Sequence, residues 1–324
     1  MEVAVFDWFT ESCCYAAIVN SNATNRIIYL PGKNPKPPVD VYCHQLLRCL
    51  KHGVGRADPA VAQTIEAQPQ VFTLIAWNYL YYQAFKPLDP DLPWIDALLA
   101  KTGPTEEEVR EALSFRRKVA WLLYSFADLF PFLISLLPDP AVKSTAHETA
   151  RYFENKNGIG TQVRELLKAS LRQRFANGDR IMLIGHSMGS VIAYDALWEL
   201  WNEDRNLVSI DCFLTIGSPL GLRFVQKRLL GAHRTGAARY PGNIRHWVNI
   251  AARGDLTGLD SSLQDDFKPM RELGLIKSIT DVNGGVFNYF RNQEGLNVHR
   301  SYGYLVNPRV GEVIANWWKG GNGH

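Results

Sequence analysis

The chain has 324 residues, 46% hydrophobic and 21% charged, a composition that supports a sizeable globular core. Lys and Arg number 35 against 32 Asp and Glu, a formal net charge of +3, and with no basic stripe and no zinc-type Cys/His spacing, a nucleic-acid partner is not expected. The five cysteines (Cys13, Cys14, Cys43, Cys49, Cys212) are odd in number and lack framework spacing, while Glu2, Asp7 and Glu11 stand where a secretory leader would be basic and then apolar; free thiols and a cytoplasmic location are expected.

Length fits two domains, or one α/β domain with an inserted cap. Residues 3–6 and 15–19 read as first strands, with a polar turn at 21–25. Arg26-Ile27-Ile28-Tyr29-Leu30 is a short apolar strand running into the Pro31-Gly32-Lys33-Asn34 loop, ahead of a helix over 41–50. Residues 71–77 are another buried strand, after the helix breaker Pro69. Asn78, Tyr79 and Tyr82 follow at the sheet end where open α/β sheets bind ligands. Trp77 and Tyr79 are therefore candidate substrate contacts.

Alternation of strand and helix then stops. Residues 86–93 form a proline-rich link, and Thr105 caps a helix with an acidic start at Glu106. Residues 119–137 are the most apolar stretch, close to the ~20 residues that span a bilayer. Asp128 and Pro131 interrupt it, and strands of one sheet lie on both sides of it, which argues against a crossing. The expectation is a helical cap, with a surface-dipping lipid contact as a lesser role and an ordinary core helix as the plain alternative. The division that follows is a core of 1–85 and 146–324 with a cap over 86–145.

The alternation resumes with a helix over 161–175, closed by Asn177-Gly178-Asp179. An apolar strand, 181–184, leads into Gly185-His186-Ser187-Met188-Gly189, and Val191 begins a helix. Gly-x-Ser-x-Gly between strand and helix is a tight turn that lifts a serine hydroxyl clear of the sheet edge and places it at a helix N-terminus. A side chain at Gly185 or Gly189 would collide with backbone there. A strand over 212–216 follows, then a helix over 224–230 and a strand over 246–250, the last well-defined one, ending near Asp255. His299 precedes a final helix over 309–318.

A serine hydroxyl is a weak nucleophile at neutral pH and needs a base within hydrogen-bond reach. His299 is the candidate base by its place after Ser187 and Asp255. His186 is expected to point away from the line of attack, His44 and His52 lie on an early helix, His147 lies by the cap, His246 opens a strand, His233 precedes the acid, and His324 is in a glycine-rich tail. Asp260, Asp265 and Asp281 are the other candidates for the acid. Pro31 has no N–H, so Lys33, then Gly32, is the candidate oxyanion donor in the first loop.

Through the Pro31-Gly32-Lys33 loop, the Gly185 to Gly189 turn, Ile216-Gly217-Ser218-Pro219, the strand end at Asp255 and His299, the chain resembles the α/β-hydrolase superfamily, lipase/esterase-like serine hydrolases in particular. Many relatives carry His-Gly where this chain has Pro31-Gly32. The resemblance implies a mostly parallel central sheet flanked by helices, with an inserted helical cap. It implies a Ser187, Asp255, His299 triad, oxyanion N–H groups at Lys33 and Met188, and no metal or organic cofactor. The expected activity is hydrolysis of carboxylic esters with apolar acyl groups; acyl transfer, thioester cleavage or a non-catalytic binding module are the alternatives.

Overall fold

The computed structural model describes residues 24–114, 150–204, 208–255 and 262–321. The expected strands at 3–6 and 15–19, the apolar segment 119–137, Cys13, Cys14, His147, Asp260 and His324 lie outside them.

Six parallel strands form one sheet: β1 (Asn25–Leu30), β2 (Phe72–Leu74), β3 (Arg180–His186), β4 (Ile210–Ile216), β5 (Ile244–Ile250) and β6 (Ser278–Val282), in the order β2-β1-β3-β4-β5-β6. The apolar runs are continuous because both faces are covered. Ile27, Tyr29, Met182 and Ile184 point into one core and Ile28, Leu30, Ile181 and Leu183 into the other. This is an α/β fold, as the alternation of elements predicts.

One face carries α1 (Val39–Ala57), α2 (Pro59–Ala67) and the last helix; the other carries α3 (Trp77–Tyr82), α6 (Ile159–Ala176) and α7 (Met188–Glu203). Val163, Leu167 and Leu171 of α6 are fully buried at helical spacing. Asp58 caps α2 by accepting from the N–H groups of Ala60 and Val61. Two short helices follow α3: α4 (Leu92–Ala100) and α5 (Glu106–Ala112). Thr105 caps α5 in a reciprocal box with Glu108. Ile95, Leu98 and Ala112 are buried in the same core as α1, so the described part of 86–145 packs on the body of the sheet. The chain ends with α8 (Ser301–Leu305) and α9 (Pro308–Trp318). Among the described residues no helix is long and apolar enough to cross a membrane.

Two elements differ from expectation. The strand over 71–77 is only three residues long, and Trp77 opens a helix; Trp77 and Tyr81 are four apart and both buried, a helical face that aromatic content disguises as strand. Strand β6 follows the strand expected to be last. It is an edge strand with polar Ser278, Thr280 and Asp281; Ile279 is its one buried residue and Val282 packs half-buried on the other core, so its apolar signal is weak.

The order of strands decides where a site can form. From β1 the chain moves outward to β2 and returns to β3 on the other side of β1, so the connectivity reverses between β1 and β3. The loops leaving the carboxyl ends of those two strands must part, which opens a crevice there. The Pro31-Gly32-Lys33 loop leaves β1, and Ser187 leaves β3.

Candidate active site

Ser187 alone connects β3 to α7, with φ 52° and ψ −126°. A side chain at positive φ is strained, and such strain persists only where its surroundings enforce it. Here the enforcement is close packing: a Cβ on Gly185 would lie 2.6 Å from the Cα of Ser190, and one on Gly189 within 2.6 Å of the Pro31 carbonyl oxygen. The Ser187 N–H donates to the Ile216 carbonyl (3.1 Å). Ser190 Oγ donates to the Ser187 carbonyl (2.5 Å), and the Ser218 hydroxyl donates to Ser190 Oγ (2.7 Å). Ser187 stands at the N-terminus of a 16-residue helix, where unpaired N–H groups favour negative charge.

Asp255 follows β5 and is buried. His299 Nδ1 donates to Asp255 Oδ2 at 2.8 Å, which leaves Nε2 as the imidazole's accepting nitrogen. Tyr304, on α8, donates its hydroxyl to the same Oδ2 at 2.6 Å and accepts from the Ala252 N–H at 2.9 Å. Burial first, and then the Asp255 charge, hold the Tyr304 phenol well above its ordinary pKa, so it stays a donor. Sequence reasoning missed Tyr304, because nothing before folding tells which tyrosine meets the acid. Asp281 is occupied elsewhere, accepting from Asn249 Nδ2 and the N–H groups of Leu263 and Gln264; Asp265 accepts from the Ser262 hydroxyl.

Gly217, at the end of β4, lies under this pair with φ +53°. A Cβ there would stand 2.8 Å from Asp255 Oδ2 and 3.1 Å from His299 Nδ1, so both groups would have to shift. Replacing Gly217 with Ala is expected to displace this pair and to lower stability by about 1–3 kcal/mol, the cost of a side chain held in a sparsely populated backbone region. Thermal melting of the variant checks this, and an unchanged Tm would mean the pair tolerates displacement.

The β1 loop is clamped from α3. Trp77 Nε1 donates to the Pro31 carbonyl (2.9 Å), Asn78 Nδ2 to the carbonyls of Gly32 (2.8 Å) and Asn34 (2.9 Å), and the Asn34 N–H donates to the Tyr82 hydroxyl (3.0 Å). Gly32 packs against the nucleophile: a Cβ there would be 3.0 Å from the Ser187 Cβ. Lys33, the next residue, lines the cavity beside Ser187, and Met188 is the first residue of α7. The two candidate substrate contacts lie away from this cavity. Trp77 is buried and holds the loop from behind, and Tyr79 is exposed and stacks on Phe85 at 4.5 Å; neither lines the cavity that holds Ser187.

His186 packs its ring against that of His299 (centroids 4.8 Å apart, 33° between planes). Its Nε2–H donates to the backbone carbonyl of His299 at 2.8 Å. Burial, then the neighbouring His299, push its pKa well below the ordinary imidazole value, so it stays neutral.

Ser187 and His299 open into one cavity of about 190 Å³, at the crevice between β1 and β3. Elsewhere Glu165, Glu199 and Glu203 converge, but on the ammonium of Lys168 (2.5, 3.1 and 2.8 Å), an ion-pair cluster. No family model, curated protein or solved structure matches the chain.

Proposed function

We propose that the chain is a serine hydrolase of the α/β-hydrolase type, cleaving carboxylic esters through an acyl-enzyme. The observation that carries this reading is a strained Ser187 at a helix N-terminus, sharing a cavity with a histidine whose Nδ1 is held by a buried aspartate. In this mechanism His299 Nε2 accepts the Ser187 proton as Oγ attacks the ester carbon. The N–H groups of Met188 and Lys33 hold the tetrahedral oxyanion, and Asp255 stabilises the imidazolium. His299 then gives its proton to the leaving alcohol. Water, deprotonated by the same nitrogen, releases the acid and restores the serine.

The preference for apolar acyl chains rests on 119–137 and stays with that segment. A reducing, cytoplasmic setting belongs to the same reading and is supported by the thiols of Cys49 and Cys212, which stand outside any disulfide. The deciding experiment is labelling with a fluorophosphonate probe, followed by peptide mass spectrometry. Modification of Ser187 is expected; folded protein that stays unlabelled would discard the hydrolase in favour of a binding module.

A further inference from the structure

The cavity that holds Ser187 has an unusual charge. Lys33, Lys36, Lys86 and Arg300 all line it, and none of the described lining residues is an Asp or Glu. All four are half-buried, so their charges act through a medium that screens less than bulk water. Asp91, buried just behind, pairs with Lys86 (3.2 Å) and with Arg300, and can neutralise one of them. Among the described residues Lys36 has no carboxylate at bonding distance: its ammonium donates to the Lys33 carbonyl at 2.6 Å, one of its three donors.

Holding an ammonium among like charges disfavours its charged form. Burial, then Arg300 and Lys86, pull Lys36 down to about 7, and Asp91 opposes this only in part. Structural packing has no use for such a lysine, since an aliphatic side chain would fill the same space without the repulsion. An anion entering the cavity would relieve it.

Resting on the serine-hydrolase reading, we propose that the substrate is an ester carrying an oxyanion, a carboxylate or a phosphate, which seats on Lys36 while the ester carbonyl lies at Ser187. The headgroup meets Lys36 and Lys33 on the β1 loop, Lys86 beyond α3 and Arg300 ahead of α8. Of these, Arg300 and Lys86 are shared with Asp91. Binding raises the proton affinity of Lys36, so it takes up protons near neutral pH and strengthens as pH falls from 8 to 6. The groups facing Lys36 in that range are Lys33, Lys86, Arg300 and Asp91, with neutral His186 at the end of β3.

The test uses the full chain carrying Ser187→Ala, so that ligands persist, with calorimetric titration of monomethyl glutarate, inorganic phosphate and dimethyl glutarate. At least one anion is expected to bind at least about tenfold tighter than the neutral diester, the scale of one charge-assisted hydrogen bond. Which anion wins distinguishes a carboxylate from a phosphate headgroup. Monomethyl glutarate stays ionised from pH 8 to 6, so tightening over that range reads a group of the cavity, Lys36 or His299, and its persistence in Lys36→Arg would assign it to His299 and overturn the role of Lys36. Lys36→Gln in the same background should remove most of the preference. Lys36→Arg should keep it and lose the pH dependence, and it guards against a variant that merely misfolds. Equal affinity for anion and diester, or an unaffected Lys36→Gln, overturns the proposal. Because binding is measured without turnover, a wild-type chain that cleaves neither methyl nor p-nitrophenyl esters would count against the hydrolase alone.

Discussion

Replacing Ser187 with alanine is expected to lower kcat/KM for p-nitrophenyl butyrate by about 10⁶-fold, the loss seen when a triad serine is removed. The expectation follows from the division of labour in the site. In the proposed mechanism no acyl-enzyme forms without Oγ, and the base, acid and oxyanion donors can assist only direct attack by water. The fold should survive, because the Ser187 main chain makes the contacts that hold the turn, its N–H on Ile216 and its carbonyl on Ser190. Alanine meets the same φ as serine, so the strain is unchanged. Kinetics beside a thermal melt check both halves. Full turnover in a folded variant would move the chemistry away from this turn.

Replacing Asp255 with asparagine is expected to cost about 10⁴-fold in kcat with the geometry retained. Asp255 Oδ2 accepts two protons' worth of donors, His299 Nδ1–H and the Tyr304 hydroxyl. An amide oxygen in that place keeps both bonds but supplies no charge to the imidazolium. An amide turned the other way offers N–H to Nδ1, forces the proton onto Nε2 and leaves no lone pair to accept the serine proton. Either orientation disables the base. A measured loss below about tenfold would assign the acid to another residue. The readout is the ratio of single-turnover rates, with melting temperature as the control.

Much of this site is legible before folding because two of its parts are local. Gly185 and Gly189 around Ser187 announce a turn that only backbone-to-backbone packing demands, and that packing is found against Ser190 and Pro31. The candidates Asp255 and His299 come from chain order alone, and Oδ2 and Nδ1 meet at 2.8 Å. What stays hidden depends on long-range geometry. The roles of Trp77 and Asn78 turn on which side of a three-residue strand the loop lies, and neither periodicity nor composition carries that. Tyr304 reaches Asp255 across 49 residues. The cationic wall gathers Lys33, Lys36, Lys86 and Arg300 from three separate segments, each with ordinary charge in sequence. Strand β6 was hidden for the opposite reason: at an edge, one buried isoleucine suffices.

The bond from His186 to the carbonyl of His299 ties the proposed base to the very strand that ends at Ser187. Serine and imidazole are thereby referenced to a shared anchor one residue before the attack point, instead of through the long excursion from β6 that delivers His299. Evolution or engineering could lengthen or shorten that excursion, around its small hairpin of 291–296, while the His299 main chain stayed seated on the end of β3.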